Sequence, residues 1–197
     1  MKTPPILYDV PEEIIGERIV LRSIKTGDGA AIWETVEESR EHIKVWMAWV
    51  NHNNSLADSE EYARSAHARW IQRESLAMGI WDAKADRLLG QCGLVRPDWD
   101  IPSIEVGYWL RSTALGQGYV TEAVRLAVSM AFDHLGMQRV HLRCDALNVR
   151  SAAVAERSGF VLEGRLRNDD RSPDGSELRD TLVYGMTRDD YAKIGSA

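Results

Sequence analysis

Gly116 and Gly118 stand two residues apart between a stretch that alternates like a strand and one that repeats like a helix. Upstream, Ile104, Val106, Tyr108 and Leu110 alternate with other residues, as a strand with two different faces requires. Downstream, Val120, Ala123, Val124, Ala127, Val128, Ala131 and Phe132 recur at three-four spacing, one face of a helix. Strand, glycine loop and helix in that order leave backbone N–H groups free at the positive end of a helix, an arrangement suited to holding phosphate. Glycine lets that backbone approach a ligand with no side chain between. The loop is not a P-loop, since no Lys-Ser/Thr pair closes it. Nor is it a dinucleotide fingerprint, since Thr121 stands where a third glycine would be. Two other groups carry chemistry: the carboxylate of Glu105 on the same strand, and Asn148 with Ser151 at the head of a segment ending in Gly159-Phe160. Asn148 is a good N-cap, Ser151 falls at the third helical position, and Gly159 ends the helix.

Leu115-Gly-Gln-Gly-Tyr-Val120 resembles the acyl-CoA pyrophosphate loop of the GNAT N-acetyltransferases. Gly107-Tyr-Trp-Leu110 followed by Gly116-Gln-Gly-Tyr-Val-Thr-Glu-Ala123 resembles the RimJ/RimL branch, as do Trp46-Met-Ala-Trp49 and the run from Asn148 to Phe160. The resemblance implies an α+β (α/β) GNAT fold, a mixed central sheet of about six to seven strands flanked by helices and splayed between the fourth and fifth. It implies acetyl-CoA as co-substrate, with no metal. The N–H groups of Leu115, Gly116, Gln117, Gly118, Tyr119 and Val120 would hold the pyrophosphate, with charge added by Arg150 first and then by Arg111 or Arg125. Asn148 would contact the pantetheine arm and Ser151 would lie near the thioester sulfur. The pantetheine would pair along the Glu105–Leu110 strand. A bulge near Gly107 to Trp109 would free the N–H of Trp109 or Leu110 for the thioester oxygen, a donor worth about 3–4 kcal/mol. Trp46 and Trp49 are either a wall of the acceptor pocket or core indoles. Glu105 either relays a proton through water or is a surface carboxylate. The sequence departs from the family pattern at Leu115, Val120 and Ala155, the last standing where many members carry a tyrosine acid.

The acceptor is then a primary amine: a protein N-terminus, or a small molecule such as an antibiotic or an aminoacyl-nucleotide. A site without a strong base favours an α-amine, whose ordinary pKa of about 8 leaves roughly a tenth neutral at pH 7, over lysine at about 10.4. The alternatives are an acyl-CoA-binding module of the same fold that turns nothing over, and an unrelated nucleotide-binding α/β domain. The latter is disfavoured by a loop with two glycines.

A chain of 197 residues carrying 24 Lys plus Arg against 30 Asp plus Glu, net −6, argues against a general nucleic-acid binder. Cys92 and Cys144 have neither disulfide nor zinc spacing. No apolar run approaches membrane-spanning length and the first residues lack a signal-peptide core, so a cytoplasmic protein without a membrane partner is expected. A homodimer is compatible with the resemblance. Residues 1–16, broken by Pro4, Pro5, Pro11 and Gly16, read as an irregular lead-in, 17–190 as one domain and 191–197 as a tail. Glu17–Ile24, Ser75–Asp82, Arg87–Val95, Gln138–Cys144, Leu162–Arg167 and Leu178–Met186 read as the other strands. Asp28 is expected to cap one helix, and Asp58 with Glu61 to open another.

Overall fold

The structure, a computed structural model, describes residues 4–194. Strands β1 (Glu13–Ile15), β2 (Ile19–Ser23), β3 (Ser75–Asp82), β4 (Leu88–Asp98), β5 (Ser103–Leu110), β6 (Arg139–Asp145), β7 (Val161–Arg171) and β8 (Leu178–Thr187) form one sheet in the order β1-β2-β3-β4-β5-β6-β8-β7. Every neighbouring pair is antiparallel except β5 and β6. That one parallel step needs a crossover, and helix α3 (Tyr119–Ser129), continued by a wide π turn at Met130–His134, supplies it. Helices α1 (Gly29–Ile43) and α2 (Leu56–Gln72) connect β2 to β3, α4 (Val149–Arg157) connects β6 to β7, and α5 (Arg188–Ile194) follows β8.

Two buried clusters divide along the faces of the sheet. One joins Ala123, Val124, Ala127 and Val128 of α3 to Leu21, Leu94, Ile104, Val106 and Leu110. The other joins Ile32 and Val36 of α1 and Ala63 and Ala66 of α2 to Trp81, Leu88 and Trp109. Because strand side chains alternate, β5 turns its even residues to α3 and its odd residues, Glu105, Gly107 and Trp109, to α1 and α2.

Several expectations are revised. The sheet has eight strands, because Glu13–Ile15 pairs with β2 inside the stretch read as an irregular lead-in. Three residues are too short for a period to show. Residues 191–194 of the expected tail lie in α5, and 1–3 and 195–197 lie outside the described residues. Asp28 precedes α1 without capping it through its side chain; its carboxylate accepts from Arg22 and from the Lys25 N–H. Glu60 of α2 accepts instead from the N–H groups of Gly27 and Gly29, each at 3.2 Å. Helix α2 opens three residues earlier than expected, on Ser55, whose Oγ accepts from the Asp58 N–H at 3.1 Å.

Candidate active site

β5 and β6 pair only at Ser103↔Arg139, Ile104↔Val140 and Glu105↔His141. Beyond Glu105 the strands part, and the wedge between them opens into a cleft of about 1100 Å³. Val106 to Leu110, Leu142 to Asp145, the loop at Gly116 and Gly118, the head of α4 and the segment after α1 line it.

The open edge of β5 is assigned by hydrogen-bond alternation. The Arg111 N–H donates to Leu89 O at 2.7 Å, and the register places Trp109 opposite Gln91 and Leu110 opposite Gly90. Successive N–H groups of an antiparallel strand point to opposite sides. The N–H groups of Gly107 and Trp109 therefore face β4, while those of Tyr108 and Leu110 face the wedge. The register runs unbroken from Glu105 to Leu110, so the expected bulge is absent. Of the two donors expected for a thioester oxygen, Trp109 is turned into the sheet and Leu110 toward the cleft.

At the wide end of the wedge, Gly116 and Gly118 hold positive φ values of 73° and 83°, a backbone that side chains resist. Among the described residues the N–H groups of Gly116, Gln117, Gly118, Tyr119 and Val120 have no acceptor within the protein. The Leu115 N–H is an exception to the expected row, since it donates to Ser112 O at 3.3 Å. Gln117 contributes backbone only; its side-chain amide donates to Thr113 O at 3.0 Å. Arg150 lines the cleft. Arg111 does not. It is 1% exposed, donates to Leu88 O at 3.0 Å and pairs with Glu38 through Nε and Nη2. Arg125 is turned to the Arg157 carbonyl at 2.9 Å.

Asn148 Oδ1 accepts from the Ser151 N–H at 3.1 Å, so its side-chain oxygen caps α4. Ser151 Oγ lies 2.9 Å from the Tyr108 hydroxyl across the wedge. Glu105, 9% exposed, sits where the two strands part. Its Oε2 accepts from Arg96 Nη1 at 2.6 Å, and His141 Nε2 is 3.6 Å away. Burial alone would raise the Glu105 pKa, but the hydrogen bonds and charges of His141 and Arg96 outweigh it and hold the carboxyl below its usual range. Trp46 lines the cleft beside Met47. Trp49 packs its ring on Trp109 at 5.6 Å.

Three site residues were not legible beforehand. Tyr108 reads as one apolar step of a strand, His141 as an unremarked strand position, and His42 as a helix-end histidine. His42 lines the cleft, and burial followed by the charge of Arg150 lowers its pKa, so it is neutral at pH 7. A signal existed for His141 alone: it alternates with Val140 and Leu142, which puts it on the opposite face of the strand. Among the described residues no group of three or more His, Cys, Asp or Glu is placed to hold a metal ion.

Comparison with known proteins agrees with this geometry. Residues 18–161 match the family described as the acetyltransferase (GNAT) domain. The ribosomal-protein-serine acetyltransferase of Escherichia coli K12 is 32% identical over 153 residues, 78% of this chain and 84% of that protein. The microcin C7 self-immunity acetyltransferase MccE, solved with acetyl-CoA and AMP, superposes with a TM-score of 0.83 at 22% identity, covering 90% of this chain and 97% of that one. RimL, the ribosomal L7/L12 α-N-protein acetyltransferase solved with coenzyme A, does so with 0.83 at 19%, covering 91% and 99%. With its eight-stranded splayed sheet and a family match spanning well over half of its 197 residues, the chain belongs to the GNAT acetyltransferase family.

Proposed function

We propose that this acetyltransferase uses acetyl-CoA and passes the acetyl group to a primary amine by direct attack on the thioester. The observation that carries the proposal is the row of five unpaired loop N–H groups, from Gly116 to Val120, at the wide end of a wedge whose β5 edge is also unpaired. Such a row suits a diphosphate, and the free strand edge suits an extended arm with amide groups of its own. The acetyl-CoA and coenzyme A in the complexes of MccE and RimL support the same donor here.

In this reading Gly116 to Val120 and Arg150 hold the phosphates, and Asn148 and the β5 edge guide the arm. The carbonyl comes to rest against the Leu110 N–H, or another edge amide of β5. The amine enters from the α1 and α2 face, past Trp46 and Glu105. Its nitrogen bonds to the carbonyl carbon as the C–S bond breaks; the nitrogen loses its proton toward Glu105 through water, and the departing thiolate accepts a hydrogen bond from Ser151. Glu105 is tied to Arg96, with its pKa held down, and is therefore a weak base. A weak base favours an acceptor that is already partly neutral, which an α-amine at a pKa of about 8 is and a lysine at about 10.4 is not. Protein N-termini and small α-amino compounds are thus the favoured acceptors.

The test is a panel of amines offered with acetyl-CoA while free thiol is measured. Release with α-amines and little with lysine side chains is expected. Binding of acetyl-CoA without release for any amine would leave a binding module.

A further inference from the structure

Arg18 stands one residue before β2, about a hundred residues from the glycine loop, yet it holds the loop and the first turn of α3 at three residues. Its Nη1 donates to the Gln117 carbonyl at 2.8 Å. Its Nε donates to Glu122 Oε2 at 2.9 Å and its backbone N–H to Glu122 Oε1 at 2.9 Å. Its guanidinium lies 5.0 Å from the centre of the Tyr119 ring. The turn that presents it is tight: the Gly16 N–H donates to Ile19 O at 2.8 Å, and a Cβ on Gly16 would lie 2.7 Å from Glu122 Oε1.

We propose that Arg18 is a positioning residue that sets the loop amides for the donor's diphosphate, a role that rests on the acetyl-CoA reading above. Two physical effects carry it. A trans peptide points its C=O and the following N–H in opposite directions. Drawing the Gln117 carbonyl back to Arg18 therefore aims the Gly118 N–H away from Arg18. The second effect is charge. Glu122 lies in the first turn of α3, where a carboxylate suits the helix end but repels a second anion seeking the same N–H groups. Arg18 pairs with it at 2.9 Å and neutralises that repulsion. Glu122 in return fixes the guanidinium, so one ion pair both orients the loop and clears its field for phosphate.

The test compares acetyl-CoA with S-acetylpantetheine, which keeps the thioester and lacks the diphosphate. Arg18→Ala is expected to raise the Kd for acetyl-CoA on the order of tenfold, one hydrogen-bonded charge pair's worth. Its kcat/KM with S-acetylpantetheine should stay within about twofold of the parent, which also shows the fold intact. Adding Glu122→Gln to Arg18→Ala should recover part of the lost affinity, since the unpaired carboxylate is gone. Equal losses with both donors, or no loss with either, would overturn the assignment. If the parent protein itself fails to bind acetyl-CoA, the donor reading falls, a result distinct from an Arg18 variant that binds like the parent.

Discussion

The Tyr108 hydroxyl on β5 lies 2.9 Å from Ser151 Oγ on α4 and 3.3 Å from the Ser151 carbonyl, joining the two sides of the wedge. Burial pushes the Tyr108 pKa up, so the phenol stays protonated at any working pH. In the proposed mechanism Ser151 serves the departing sulfur, and the phenol, hydrogen-bonded to the serine hydroxyl, holds that hydroxyl in place. On that reading Tyr108 acts through Ser151 rather than as the acid itself. Tyr108→Phe is expected to lower kcat by about tenfold, the factor of one neutral hydrogen bond. Ser151→Ala should cost at least as much, with the acetyl-CoA Kd unchanged in both. Stopped-assay kcat and equilibrium titration measure the two quantities separately.

Glu105 is held below its ordinary pKa of 4.5, so it is ionised throughout the neutral range. Glu105→Gln is expected to lower kcat while leaving the shape of the pH–rate profile between pH 6 and 8 unchanged, because the acid limb there belongs to protonation of the amine. The same shift has a consequence for stability. A carboxyl depressed on folding contributes stability that is complete above 4.5 and lost as pH falls through its folded value. Urea midpoints at pH 7 and at pH 3 should fall further apart in the parent protein than in Glu105→Gln.

Gly107 faces α1 and α2 between Glu105 and Trp109, and a Cβ built there meets nothing within 4 Å. In the proposed mechanism this open space is the amine's path to the carbonyl. Gly107→Val should therefore fold and bind acetyl-CoA within about twofold of the parent. Its kcat/KM for the amine should fall on the order of a hundredfold, the cost of about an ångström of displacement. Unaltered amine kinetics would place the approach elsewhere.

Arg111 carries charge without serving the donor. Its guanidinium is buried against Glu38 and Leu88 O, fastening the end of β5 to α1. Arg111→Ala strips a buried partner from Glu38 and is expected to destabilise the fold by about 3 kcal/mol, the lower end for a broken buried pair because Glu38 keeps some contact with water. Denaturant melts measure that loss. The acetyl-CoA Kd at low temperature should not move.

How far the sequence reaches is clear from these residues. Local signals succeed where local physics decides: the change of period across Gly116 and Gly118, the Asn148 cap, the strand from Ser75 to Asp82. They fail where the partner comes from far along the chain. Nothing near Arg18 announces the Gln117 carbonyl, and nothing near Gly29 announces Glu60 as the acceptor for its N–H. Charge reads as surface, so the sequence offers Arg111 for a solvated face or, after Arg150, for the phosphates, and not for the core. The expected bulge came from resemblance rather than from the residues of β5, and the Glu105–Leu110 register has none.

Backbone amide resonances of Gly116 to Val120, followed while coenzyme A and then pantetheine are titrated in, test the central claim most directly. The amides of Gly116, Gln117, Gly118, Tyr119 and Val120 are expected to shift with coenzyme A and to stay nearly still with pantetheine, while those of Tyr108 and Leu110 respond to both. Coenzyme A binding that leaves the five loop amides unmoved and shifts another surface would contradict it.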